Sequence, residues 1–263
     1  MQESLDLGNL PYSMPKYLSP SAVGTFNQCP MRYKFSKLDK IPEPSTDAQV
    51  IGSFVHEVLE FLFKEPSKDR TEARARSIAK ELWESKWFEE YDKILHKPPM
   101  NEFRWRSWWC IENYFKVEDP TNMEANGLEE IVQGDINGVP IFGIIDRWHL
   151  TDNDKIVVSD YKTGKKPRKQ YEWEKKMQIM IYVDLLEQIT GYDAECAELL
   201  YLKSGDKVQY APTDDLRESV HVTLKNTWEE LSDSCGSGEF ECRTGPLCNW
   251  CNFKEMCPAW RKS

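Results

Sequence analysis

The chain has 263 residues, of which 34 are basic and 44 acidic, giving a formal net charge of −10, with 40% hydrophobic residues and ten tryptophans. That length and composition suit a globular protein with a substantial core; no basic, apolar leader and no run of membrane-span length is present, so a cytoplasmic location is expected. The negative balance excludes a protein that coats nucleic acid by neutralising phosphates, though not one that threads a strand through a local basic channel.

Residues 1–18 show no periodicity and are expected to form an arm. Ser19-Pro20-Ser21 reads as the cap and first-turn proline of a helix running to about Leu38, with Phe26, Cys29 and Tyr33 on one face. A second helix is expected over 50–64, where Gly52, His56 and Glu60 recur every four residues. His56-Glu57-Val58-Leu59-Glu60 lacks the second histidine of a zinc-protease signature. Gly52 inside a helix costs about 1 kcal/mol and points to a close approach by another group. Helices follow over 71–96 and 101–117, separated by Pro98-Pro99. The second carries Phe103, Trp105, Trp108, Trp109, Tyr114 and Phe115. Such residues build base-stacking platforms, and more commonly helix interfaces.

A sheet begins at 128–136, joined to Val139 by Asn137-Gly138, a strong signal for a two-residue hairpin turn. Val139 to Leu150 and Ile156 to Asp160 read as buried strands around the polar loop 151–155. A loop symmetric about Asn153 pairs Leu150 with Ile156, Trp148 with Val158 and Asp146 with Asp160. The Asn137-Gly138 hairpin brings Glu129 opposite Asp146, unless a bulge turns it away. Lys162 shares a strand face with Asp160, and Tyr161 points the other way.

Two opposed acids and a lysine at the end of a buried hairpin have the donor set for metal-dependent phosphodiester cleavage. Carboxylates suit Mg²⁺ or Mn²⁺, and the lysine would orient or deprotonate a water and offset charge on the phosphate. From Lys162 to Lys169 the chain carries five cations in eight residues, either a solvated loop or a basic channel wall. Residues 171–190 form an amphipathic helix ending at Gly191, with Lys175, Gln178 and Tyr182 on a polar stripe. A hairpin follows around Ser204-Gly205-Asp206, then a strand over 218–224 and a short helix near 225–231.

Eight cysteines without a secretory signal point to thiols or metal ligands. Cys248, Cys251 and Cys257 form C-x2-C-x5-C, with Cys242 upstream and Cys29 alone near the other end. Cys110, Cys196 and Cys235 have no partner at ligand spacing.

Taken in order, Gly52-x3-His56, Gly143-x2-Asp146-Arg147, Asp160-Tyr161-Lys162-Thr163-Gly164 and Gln178-x3-Tyr182 resemble the motif series of RecB-like nucleases in the PD-(D/E)xK superfamily. The split cysteine set resembles their iron–sulfur branch, which includes AddB nuclease domains and CRISPR-associated RecB-like exonucleases. The resemblance covers residues 19–258. It implies an α/β, restriction-endonuclease-like core with a central mixed sheet over 19–235, a helical insert at about 65–120, and a cysteine-rich tail over 236–263 that closes a site with Cys29. It makes His56, Asp146, Asp160 and the Tyr161 carbonyl metal ligands and Lys162 the catalytic lysine, with Gln178 and Tyr182 positioning DNA or that lysine. Cys29, Cys248, Cys251 and Cys257 would hold a 4Fe-4S cluster, with zinc as the alternative on spacing alone; Cys242 lies outside the pattern. Asp160 stands where Glu is common, which shortens the ligand arm.

The implied activity is Mg²⁺- or Mn²⁺-dependent exonucleolytic cleavage of single-stranded DNA in recombination, repair or CRISPR adaptation, with proteins of those processes and oligomers as conceivable partners. The competing reading is a non-catalytic DNA-binding or assembly module that keeps the fold. No G-x4-G-K-[ST] phosphate loop is present, so no motor is expected in this chain.

Overall fold

The computed structural model describes residues 11–261; the first ten residues of the expected arm lie outside it. Helix α1 (Pro20–Gln28) starts where expected: Ser19 is extended and its hydroxyl accepts the Ala22 N–H at 3.2 Å, with Pro20 at the first turn. The helix does not run on to Leu38. Cys29 is extended (φ −165°, ψ 108°), Pro30 begins a new short helix α2 (Pro30–Tyr33), and a π turn over Lys34–Leu38 completes the segment. A proline disfavours helical backbone at the residue before it, so the break falls at Cys29.

Helix α3 (Asp47–Lys64) opens on a capping box: Gln49 N–H donates to the Thr46 hydroxyl and Thr46 N–H to the Gln49 side chain. Next come α4 (Glu72–Leu82), a π turn, α5 (Phe88–Asp92) and α6 (Met100–Val117), so the helical stretch expected to reach His96 ends earlier. Strands β1 (Gly127–Ile136), β2 (Val139–Leu150) and β3 (Ile156–Lys162) precede helix α7 (Trp173–Thr190), β4 (Ala194–Tyr201), β5 (Asp206–Tyr210) and helix α8 (Asp214–Ser237). Asn137 and Gly138 both have positive φ (51° and 83°), as a tight primed hairpin turn requires.

The five strands form one sheet in the order β1-β2-β3-β4-β5. Pairings β2/β3 and β4/β5 are antiparallel and β3/β4 is parallel, so the sheet is mixed, and α7 is the connection that the parallel pair needs. The β2/β3 register is the expected one: Leu150 opposes Ile156 and Trp148 opposes Val158.

Two compact units are formed. Among the described residues one takes those up to 43, 133–142 and those from 215 onward; the other takes 44–132 and 143–214. In the first, the chain around Leu18 bridges Ile141, with backbone bonds of 2.9 Å from Leu18 N–H to Pro140 and from Phe142 N–H to Leu18. The strand expected over 218–224 is part of α8 instead. Val220, Leu224, Thr227, Leu231 and Cys235 are buried at spacings of three and four, a helical stripe that outweighs the local alternation.

In the second unit α3 packs on α4 and α6. Val55, Leu59, Leu62, Ile78, Phe103, Ile111 and Tyr114 are all nearly or wholly excluded from solvent there, and Tyr161 of β3 joins the same core. This anchors the end of β3 that carries the candidate site.

Candidate active site

The site lies in the second unit, where β2 and β3 end their pairing. The ladder stops at Arg147–Ser159, and the next position on each strand is an acid. Asp146 is 9% exposed and accepts the Tyr161 N–H at 2.6 Å; Asp160 is 2% exposed. Tyr161 turns away as strand alternation demands, its ring meeting Tyr114 edge-on at 5.8 Å.

Helix α3 supplies His56. Its Nε2 lies 2.9 Å from the Tyr161 carbonyl, and its Nδ1 lies 3.3 Å from Asp146 and 3.8 Å from Glu129. Ligand atoms of His56, Glu129 and Asp146 all fall within 4.8 Å of one another. Glu129 reaches the site from β1 with a left-handed backbone (φ 43°), so the third carboxylate is not turned away. Burial opposes charge on the imidazole, but Asp146, with Asp160 and Glu129 behind it, outweighs burial and lifts His56 to about 9. Burial and the neighbouring Asp146 push Glu129 up to about 7, with His56 pulling the other way. Burial also raises Asp160, which Asp146 reinforces and Lys162 opposes. Asp146, although buried, is held below the usual carboxylate range by His56 and Lys162. Carboxylates that repel one another in a buried corner, with an imidazole among them, form a site suited to a divalent cation.

Lys162 Nζ lies 2.5 Å from Asp160 Oδ2 and donates to Gln178 Oε1 at 3.0 Å, and Gln178 Nε2 donates to Tyr182 Oη at 3.3 Å. One turn before Gln178, Lys175 is held below the ordinary lysine range by burial and by Lys162. The two motif glycines have steric reasons. A Cβ on Gly143 would lie 2.5 Å from Tyr182 Cε1, and one on Gly52 would lie 3.3 Å from Thr163 Oγ1. Gly143 therefore admits the Tyr182 ring against β2, and Gly52 lets α3 approach the turn after Lys162.

Behind these residues is a buried network that sequence reasoning did not find. Arg147, 0% exposed, clasps Glu118 at 2.8 and 3.0 Å and donates to Ser159 Oγ at 3.0 Å. Lys207 bridges Glu118 and Glu198 at 3.1 and 3.0 Å. The network ties α6, β2, β3, β4 and β5 together under the acids. Arg147 stands in a quoted motif, but its partners lie far apart in the chain and give no local signal.

The cysteines are in the first unit. Cys29, Cys242, Cys248, Cys251 and Cys257 line one cavity of about 220 Å³, beside Phe35 and Phe253. Met31 N–H donates to Glu241 at 3.0 Å and Arg243 to the Asn27 carbonyl at 3.0 Å, which holds the tail against the α1–α2 break. Cys242 Sγ lies 3.8 Å from Cys257 Sγ. One tetrahedral zinc would gather all its sulfurs at about that spacing. Among the described residues no three sulfurs are gathered so closely.

Comparison with known proteins bears on this arrangement. The model of the PD-(D/E)XK nuclease superfamily matches residues 17–258. Two ATP-dependent helicase/deoxyribonuclease subunits B from Clostridium botulinum are each 25% identical to the chain. The Loch Maree strain protein matches over 284 residues, covering 88% of this chain and 24% of the relative. The Hall strain protein matches over 264 residues, covering 84% and 22%. The chain therefore spans about a quarter of these relatives. A solved structure of a candidate exonuclease from Eubacterium rectale superposes with a TM-score of 0.57 at 14% identity, covering 93% of this chain and 87% of the other, a likeness of fold alone.

Proposed function

Because the chain belongs to the PD-(D/E)XK nuclease superfamily, matched over residues 17–258, we propose that it is a metal-dependent deoxyribonuclease that works as an exonuclease on single-stranded DNA. The observation that carries this reading is the convergence of His56, Glu129 and Asp146 beside the Asp160–Lys162 pair. The relatives' names support the deoxyribonuclease activity and lend nothing to a CRISPR setting.

His56, Asp146, Asp160 and the Tyr161 carbonyl would hold Mg²⁺ or Mn²⁺, with Glu129 beside them; one imidazole among hard oxygens fits either ion. When bound, the ion supplies Lewis-acid stabilisation of charge developing on the phosphate. Lys162 holds its ammonium at the mouth of this corner, where it can orient an attacking water and face the phosphate. Gln178 fixes the lysine through its amide oxygen, and Tyr182 fixes Gln178. Asp160 keeps the ammonium close.

Cys29, Cys248, Cys251 and Cys257 are proposed to hold a 4Fe-4S cluster, with zinc as the alternative; the cavity they share with Cys242 supports a thiolate-bound metal group there.

The test is cleavage of end-labelled linear and circular single-stranded DNA in Mg²⁺ and in Mn²⁺, with Asp160→Ala as the paired control. Metal-dependent loss of linear but not circular DNA, abolished in the variant, is expected. If the wild type with its tail metallated cuts neither substrate, the chain is an assembly module that keeps the fold.

A further inference from the structure

Helix α6 buries Phe103, Ser107, Cys110, Ile111 and Tyr114 but leaves two large aromatics outside: Trp105 is 60% and Trp109 38% exposed. Their rings lie nearly parallel, with centroids 5.6 Å apart and planes at 29°. Exposed indoles in this arrangement are not completing the helix interface, which α6 makes with its other face. Cations flank them. Lys116 lies 5.2 Å over the Trp109 ring, and Arg76 of α4 lies 3.9 Å over Trp108. Arg104 lies over Trp83, and among the described residues neither Arg104 nor Lys116 is paired with a carboxylate. Trp105, Trp108, Arg104, Arg76 and Lys80 line a groove of about 950 Å³ between α4 and α6. Arg76 pairs with Glu72 at 3.4 Å and Lys80 with Glu84 at 3.9 Å, which leaves Arg104 and Lys116 as the cations of this patch without a carboxylate partner among the described residues.

The patch also adjoins the turn after Lys162. Trp109 Nε1 donates to the Lys203 carbonyl at 3.1 Å. Lys203 in turn lines a small cavity with Arg106, Thr163 and Gly164, the two residues that follow Lys162.

We propose that the outer face of α6 is a track for single-stranded nucleic acid, on which bases stack against Trp105 and Trp109 while Arg104, Arg76 and Lys116 meet the phosphates, and which leads toward Lys162. The proposal deepens the nuclease reading and rests on it. Indole faces accept any base, and flanking cations follow the backbone, so the track holds a strand without reading its sequence. A duplex keeps its bases stacked inside and offers the indoles nothing to stack with.

The experiment measures binding of fluorescein-labelled oligothymidylate by anisotropy, in full-length protein carrying Asp160→Ala and without divalent metal, over a range of salt. Trp105→Ala should weaken binding about tenfold, and Trp105→Phe, which keeps a π face, should restore most of it. Arg104→Gln with Lys116→Gln should flatten the slope of log affinity against log salt by about 1.4, for two phosphate contacts on a single strand. Unchanged affinity in Trp105→Ala and an unchanged slope in the double variant would overturn the proposal and leave the face as a protein contact, as would a parent protein that binds no single strand. Because this assay needs no cleavage, failure of the nuclease reading is seen separately, as a wild type that binds the oligonucleotide and cuts nothing in Mg²⁺ or Mn²⁺.

Discussion

Gly143 and Tyr182 occupy one another's space: a β-carbon on Gly143 would lie 2.5 Å from Tyr182 Cε1, and Tyr182 is only 5% exposed. The ring cannot swing into solvent, so a methyl group there must displace it or bend β2. Tyr182 in turn holds Gln178, which holds Lys162. Gly143→Ala should therefore lower kcat by about tenfold to a hundredfold through a misplaced lysine and cost about 1–3 kcal/mol from overpacking. In a Tyr182→Ala background the same substitution should cost much less, because the clash is gone. Thermal unfolding and single-turnover cleavage of the four proteins would read both effects; additive costs would show that Gly143 serves some other purpose.

The acids and His56 make metal affinity depend on pH. Without metal, Glu129 holds its proton up to about 7 and His56 up to about 9, each above its ordinary value of 4.5 or 6.5. Both folded-state values are raised. The stability contribution of Glu129 is present below 4.5 and is lost as pH rises through 7; that of His56 is present below 6.5 and is lost as pH rises through 9. A cation must displace the same protons. Mn²⁺ affinity should rise steeply below pH 7 and more gently from there to 9. Titration calorimetry at pH 8 in buffers of different ionisation enthalpy should show release of about one proton per ion. Affinity independent of pH would remove His56 from the ligand set.

Much of this site is legible in the sequence because the hairpins are short. The five-residue loop after Leu150 fixes the β2/β3 register, and strand alternation then places Asp160 and Lys162 together. The Asn137-Gly138 hairpin also foretells the approach of Glu129, while its left-handed backbone is announced by no residue pattern. Helix α8 was obscured for a different reason. Its β-branched residues Val220, Val222 and Thr223 mimic a strand over seven positions, while the buried spacing from Val220 to Cys235 appears only over four turns. Cys29-Pro30 carried a break signal, and the helical spacing of Phe26, Cys29 and Tyr33 masked it.

The Arg147 network is the part the sequence hid most completely, and its removal should be costly. Arg147 and Glu118 are both sealed from solvent, and the guanidinium and Lys207 together hold the Glu118 carboxyl below its usual range against the opposing effect of burial. Arg147→Met would leave Glu118 with Lys207 alone and should destabilise the fold by about 3–5 kcal/mol. Arg147→Met with Glu118→Leu removes both charges and should recover part of that loss. Urea unfolding of the two variants would decide, and a single variant as stable as wild type would show that water reaches Glu118.

In the first unit, Cys251→Ala tests whether the tail is a structural clip. Closing a loop from Cys29 to Cys248 or beyond constrains more than two hundred residues of the unfolded chain, worth about 5 kcal/mol in the entropy model for cross-links. Such a loss is comparable to the whole stability of many domains, so the variant should lose its bound iron, or zinc, and melt far below wild type or fail to fold. Absorbance near the visible charge-transfer bands, metal analysis and thermal unfolding would be read together. A metal-free variant with the wild-type melting temperature would mean that Phe35 packing on Phe253 and the bond from Met31 N–H to Glu241 already close the tail, and that the cysteines serve another end.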